Sequence, residues 1–310
     1  MKKIRHCLRI TDFTVQELET ILKLSAKLKK ELKTKGRNKP LLKDKTLAMI
    51  FEKPSLRTRI SFEIGLTQLG GHAIYLGPSD IQMGARETAH DIGVVTSSMA
   101  DMIMARTFKH STIEELAQGS GVPVINGLSD LEHPCQILAD YQTIWEKLKT
   151  YKGITVSYFG DGNNNVTHSL LLMSVLLGNE FRCASPQGFF MNPKVVAEAQ
   201  AIANKTKAKI VQTTDPKTAA KGAQVIVTDT WVSMGLESEK AKRLKIFPTY
   251  QVTEKLMKLA DKRAIFMHCL PAYRGKEVAA AVIDGPQSVV FPEAANRLHS
   301  QKGLMVFLYA

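Results

Sequence analysis

Short apolar runs without a helical period alternate, twice over, with segments whose apolar residues recur at helical spacing. The first series predicts a strand at 46–51, a helix near 56–69, a strand at 72–76 and a helix near 87–98. It continues with a strand at 101–105, a helix near 111–118, a strand at 122–125 and a long helix over Pro134 to Leu148. After Lys149-Thr150-Tyr151-Lys152-Gly153 the pattern restarts, with strands at 154–159, 181–184, 209–212, 223–228 and 264–268 and helices at 165–177, 193–205 and 253–259. Strands that are apolar on both faces need cover on both, and parallel strands with crossover helices supply it. The expected fold is α/β: two doubly wound domains, each a parallel sheet flanked by helices, with a C-terminal helix packing back on the first domain. The expected boundaries are 1–148, 149–291 and 292–310; the last carries Leu298, Leu304, Met305 and Leu308. In such sheets ligands gather beyond the strand carboxyl ends, so the residues just after each strand are the candidates for chemistry.

At 310 residues the chain exceeds one ordinary core. Its net charge of +13 is concentrated in the lysine-rich stretch from Lys23 to Lys45, behind the apolar stripe of a first helix that opens on the capping box Thr14-Val15-Gln16-Glu17. No zinc-finger spacing, RNP-type aromatic motif or repeat accompanies that charge, so it reads as a solvated basic face, with some of it serving anionic substrates rather than nucleic acid. The cysteines, Cys7, Cys135, Cys183 and Cys269, are far apart with no C-x-x-C pair, which suits reduced thiols in a cytoplasmic protein rather than a disulfide framework or a metal site. Neither a leader-like apolar segment near Met1 to Asp12 nor an apolar run of membrane-spanning length is expected.

The sharpest local motif is Phe51-Glu52-Lys53-Pro54-Ser55-Leu56-Arg57-Thr58-Arg59. A strand ends, Ser55 is placed to cap a helix, and the first N–H groups of that helix have no internal partners. Cations there oppose the helix dipole, so Arg57 and Arg59 are expected to face an anion. The stretch is thus a phosphate cradle without a glycine-rich loop. Gly160-Asp161-Gly162 also follows a strand, but position 165 is Asn, so the dinucleotide fingerprint G-x-G-x-x-G is incomplete. The Asn163 to Asn165 run can cap the next helix or offer amides to a polar substrate. Arg106 follows a strand, and His133 with Gln136 opens the long helix, where the two can converge on one small group. Asp229-Thr230-Trp231-Val232-Ser233-Met234-Gly235 offers a carboxylate and a hydroxyl to a substrate with an amine. His268-Cys269-Leu270-Pro271 holds a thiol that is either a nucleophile or one more structural cysteine.

Taken together, Phe51-x-Lys53-x-Ser55-x-Arg57-Thr58-Arg59, His133-Pro134-Cys135-Gln136 and His268-Cys269-Leu270-Pro271 resemble the transcarbamylase family. The Asp229-x-Trp231-x-Ser233-Met234-Gly235 segment is similar to the loop of its ornithine-using members, and the resemblance runs through to Glu293-Ala294-Ala295-Asn296-Arg297. It implies carbamoyl transfer from carbamoyl phosphate to L-ornithine, giving L-citrulline and phosphate, with no metal or organic cofactor. It implies one domain per substrate and a homotrimer whose sites include a residue from a neighbouring copy. Residue by residue, it assigns Ser55, Leu56, Arg57, Thr58, Gln82, Arg106, His133, Gln136, Cys269, Leu270 and Arg297 to carbamoyl phosphate. Asn165, Asp229, Ser233 and Met234 go to ornithine, with Asn164 an alternative to Asn165. Arg57, Arg106, His133 and Cys269 are the expected catalytic residues, Gln82 is the one reached from the neighbouring copy, and Arg59 is expected to brace. Leu56 stands where many relatives have Thr, and Ala295 where Glu is frequent.

Overall fold

The computed structural model describes residues 4–84, 86–232 and 237–309. It separates into two compact units, one of residues 1–142 with 295–310 and the other of residues 143–294.

The first unit opens with α1 (Val15–Lys35), capped by Thr14 and Glu17 in the anticipated capping box. Then follow β1 (Thr46–Phe51), α2 (Leu56–Gln68), β2 (His72–Leu76), the short α3 (Pro78–Ile81), α4 (Ala89–Ser97), β3 (Met102–Arg106), α5 (His110–Gly119), β4 (Val124–Leu128) and α6 (Pro134–Leu148), whose last turns belong to the second unit. All strands are parallel in the order β2-β1-β3-β4. The inner strands are buried almost end to end, as their unbroken apolar runs require, whereas the edge strand β2 alternates with solvent.

The second unit holds β5 (Thr155–Phe159), α7 (Asn165–Leu176), β6 (Glu180–Ala184), α8 (Pro193–Thr206), β7 (Lys209–Thr213), α9 (Pro216–Ala220), β8 (Val225–Thr228), α10 (Lys240–Ile246), α11 (Glu254–Met257), β9 (Ile265–Met267), α12 (Ala280–Ile283) and the start of α13 (Val290–Tyr309). Its five strands are parallel in the order β7-β6-β5-β8-β9. The two doubly wound sheets are those expected. The helices α3, α9, α10 and α12 were not foreseen, because four to seven residues are too few to show a helical period. Buried residues run unbroken from Val166 to Val175 on α7, which accounts for its continuous apolar sequence. Among the described residues, no helix is long and apolar enough to cross a membrane.

The strand orders locate the crevices at which ligands of such sheets gather. In the first sheet the chain steps from β1 to β2 on one side and then to β3 on the other. In the second it steps outward from β5 to β6 and β7 and returns to β8. The crevices lie where direction reverses, beyond the carboxyl ends of β1 and β3 in one unit and of β5 and β8 in the other.

The C-terminal helix α13 starts at Val290, two residues before the expected position, and its later part packs within the first unit. A Cβ on Gly303 would collide with Ser25 Oγ on α1, so only glycine permits that approach. Its neighbour Lys302 is fully buried and donates to Asn38 Oδ1 and Gln68 Oε1, both at 2.7 Å. Burial pushes this ammonium down from 10.5 to about 8, against a small opposing pull from Glu31. Between those values the folded chain has released the proton while the unfolded chain still binds it, so this group's contribution to stability grows as pH rises across that window. Scanning calorimetry of the protein and of Lys302→Met should therefore show their stability difference moving in favour of the native residue from pH 8 to 10.5. A constant difference would show that Lys302 does not titrate there.

Candidate active site

The strand-to-helix turn of the 51–59 motif lies at the first crevice, between the end of β1 and the start of α2. Ser55 caps α2, its hydroxyl accepting from the Thr58 N–H at 3.4 Å and donating to Thr58 Oγ1 at 3.1 Å. The end of β1 is tied to β3 where the Glu52 N–H donates to the Arg106 carbonyl, and a register shift against β4 falls between Ala105 and Arg106. Arg106 therefore ends β3 opposite Phe51, the last residue of β1. His133 follows β4, and its carbonyl accepts from the N–H groups of Gln136 and Ile137 at the opening of α6. The residue before it, Glu132, is fully buried and bound to Arg9 Nε at 2.8 Å and to the Ile10 N–H at 3.0 Å, which anchors this loop. Arg297, on α13, donates to Gln136 Oε1 at 2.7 Å and reaches Thr58 Oγ1 at 3.5 Å.

These side chains concentrate positive charge around a buried imidazole. His133 is held neutral, well below the ordinary histidine range, first by burial and then by the charges of Arg297, Arg106, Arg57 and Lys53. Lys53 is itself buried, with Nζ 4.8 Å from the centre of the Phe108 ring. Burial, and next the Arg106 charge, push it down to about 8 against the pull of Glu52 and Asp130. A cluster of this sign within a folded domain is built for an anion. In an NMR pH titration the His133 ring signals should stay put from pH 8 down to 6, where an ordinary histidine moves; a midpoint near 6.5 would contradict the charge cluster.

Arg59 departs from the expectation that it faces an anion. It is exposed, pairs with Glu63 one turn on at 3.1 Å and lies over the Tyr75 ring at 4.1 Å. Its charge is thus met along the helix and on β2, as a brace would be. Leu56, the first residue of α2, is 70% exposed. Gln82 is an exposed residue at the end of α3 in the left-handed conformation (φ 51°).

At the second crevice, Asp229 follows β8 and is buried, with Oδ1 accepting from the Thr230 N–H at 2.7 Å and the Cys269 thiol at 3.3 Å. Asn164 and Asn165 divide their roles. Asn164 is the N-cap of α7, accepting from the Thr167 N–H and donating to Tyr158 Oη at 2.7 Å and to the Asp161 carbonyl. Asn165 is the first residue of the helix proper and is partly exposed. Tyr158 is held protonated, by burial and then by the Asp229 charge. Ser233 and Met234 lie outside the described residues.

Leu270 is left-handed (φ 58°), a costly conformation for a branched side chain. Its N–H donates to His268 Nδ1 at 2.9 Å, so the ring's other nitrogen carries the proton and faces Glu277 at 3.3 Å. Among the described residues, Asp229, His268 and Cys269 bring one potential metal-ligand atom each within 4.8 Å of one another. Both ring nitrogens of His268 are already engaged within the loop, however, so the trio serves its shape. The thiols of Cys7, Cys135 and Cys183 are buried, and burial pushes Cys135 and Cys183 up to about 12.

Sequence reasoning missed Asp140, Glu277 and Lys302, and quoted Lys53 without giving it a role. Asp140 was findable, standing four residues after Gln136 on a strongly periodic helix. The others depend on contacts between segments distant in sequence or on loop geometry.

One parallel α/β unit carries a cationic crevice, and the other carries a buried carboxylate, Asp229, after a strand. The aspartate/ornithine carbamoyltransferase carbamoyl-P binding domain matches residues 5–146, and the Asp/Orn binding domain of the same enzymes matches residues 152–308. The ornithine carbamoyltransferase of Wolinella succinogenes is 53% identical over 305 residues, covering 98% of each chain. The solved ornithine carbamoyltransferase of Pyrococcus furiosus has a TM-score of 0.93 and 48% identity, covering 97% of this chain and 96% of its own. The anabolic enzyme of Campylobacter jejuni has a TM-score of 0.93 and 41% identity, covering 98% and 99%. The chain belongs to the aspartate/ornithine carbamoyltransferase family, and within it to the ornithine carbamoyltransferases.

Proposed function

We propose that this enzyme transfers the carbamoyl group of carbamoyl phosphate to the δ-amine of L-ornithine, with the cationic crevice holding the first substrate and the Asp229 crevice the second. The observation that carries this reading is the arrangement at the first crevice, where Ser55 caps α2, Arg106 ends β3 opposite Phe51, and Arg297 reaches Gln136 and Thr58. Ser55, Arg57, Thr58 and the first N–H groups of α2 take the phosphate. Arg106, Thr58 and His133 donate to the carbamoyl oxygen, and Gln136 meets the carbamoyl amino group. The neutral δ-nitrogen attacks the carbonyl carbon, the C–N bond forms, and the negative charge that develops on oxygen meets donors already in place. The bond between the carbonyl carbon and the bridging oxygen then breaks, phosphate leaves with the electron pair, and the proton lost by the amine departs with it. Asp229 pairs with the α-ammonium and leaves the δ-nitrogen to react; Asn165 contacts the same substrate, with Asn164 committed to its cap.

The same reading puts the enzyme in the cytoplasm, working toward citrulline in arginine biosynthesis or in the reverse direction in arginine catabolism, as a homotrimer. Leu56, Ile60 and Ile64 form an exposed apolar stripe on α2, and Ile74 is exposed on the edge strand β2, which supports burial against another copy. The test is product formation from carbamoyl phosphate with ornithine, putrescine, an acylated ornithine and aspartate. Ornithine should be preferred, because the other amines lack the α-carboxylate, the charged α-amine or the δ-nitrogen. Preference for any of them would overturn the assignment.

A further inference from the structure

Gln136 is gripped at both ends of its amide. Its Oε1 accepts from Arg297 Nη1 at 2.7 Å, and its Nε2 donates to Asp140 Oδ1 at 2.8 Å. All three side chains are at most 2% exposed. Gln136 and Asp140 are one turn apart on α6, so both side chains lie along the same face of that helix. A guanidinium can only donate and a carboxylate can only accept. A reversed amide would set N–H groups against N–H groups on one side and oxygen against oxygen on the other, each an uncompensated polar contact in a buried place.

We propose that Asp140 is a positioning residue for substrate selection: it fixes the Gln136 amide with its oxygen on the Arg297 side, where that oxygen recognises the NH2 of the carbamoyl group. This rests on the carbamoyl-transfer reading above. A carbonyl oxygen accepts along two lone-pair directions, so it can hold Arg297 and take a substrate N–H together. The geometry therefore selects a donor-bearing acyl group. An acetyl group, with methyl in place of NH2, has nothing to donate, and neither has bare phosphate on that side. Asp140 touches no reacting atom; it acts through the orientation of Gln136.

The test is Asp140→Asn, which keeps the size and removes the acceptor-only character, so that Arg297 alone is left to hold the Gln136 amide in its orientation. Three constants are measured on each preparation: KM for carbamoyl phosphate, and the inhibition constants of acetyl phosphate and inorganic phosphate against it. The expected result is a carbamoyl phosphate KM raised about tenfold, the effect of losing one well-placed hydrogen bond, with both inhibition constants within a factor of about two of the parent's. A pair that merely supported the helix would move all three constants together or none, and either outcome overturns the proposal. The ratio is internal to each preparation, so Asp140→Ala, read in the same way, serves if the Asn variant does not accumulate. If the unaltered enzyme forms no citrulline, the reaction assignment falls; if it does and the ratio is unmoved in the variant, the role of Asp140 alone falls.

Discussion

Arg106→Ala should lower kcat/KM for carbamoyl phosphate by about a thousandfold, the scale seen when a preorganised donor to a developing oxyanion is removed. Arg106 leaves β3 at the first crevice, is only 8% exposed, and is one of the charges that keep His133 neutral. Its loss removes a forked donor to the substrate and weakens the potential that attracts the anion. Arg106→Lys should recover a minor part, because an ammonium restores charge without the planar fork. Steady-state kinetics with carbamoyl phosphate varied at saturating ornithine provide the check. A loss below about tenfold would remove Arg106 from the reacting centre.

Asp229→Asn is the second large effect expected. The carboxylate is buried against the Thr230 N–H and the Cys269 thiol. That leaves it able to meet a substrate ammonium where little water competes. Replacement by a neutral amide should raise the ornithine KM about a hundredfold, the cost of breaking a buried charge pair, with the carbamoyl phosphate KM little changed. Equal rises in both would place Asp229 in the scaffold instead. The contrast with Arg106 is itself informative, since each variant should affect one substrate.

Much of this was legible from local sequence. The strands were readable because parallel strands covered on both faces need continuous apolar runs, and Ser55 and Thr14 because capping is a local event. The expectation of an anion site came from two arginines at a helix start, and of these Arg59 has its charge met elsewhere. Its charge is answered by Glu63 one turn away, visible in the sequence, and by Tyr75 on the neighbouring strand, which is not. Which of Asn164 and Asn165 caps α7 is a matter of one dihedral pair that residue type leaves open.

What sequence alone determined, then, is the inventory: two α/β series, an anion cradle after one strand, a carboxylate after another, and motifs resembling one family. Those follow from periodicity and from the chemistry of short segments. Tertiary structure decided what those residues are to one another. It set the strand orders that bring β1 beside β3 and β5 beside β8, and it brought Arg297 from the end of the chain to Gln136 and Thr58. It gathered four cations around His133 and buried Lys302 between Asn38 and Gln68. The physical reason is that charge regulation, burial and the orientation of an amide depend on neighbours far away in the chain, and no local pattern encodes them.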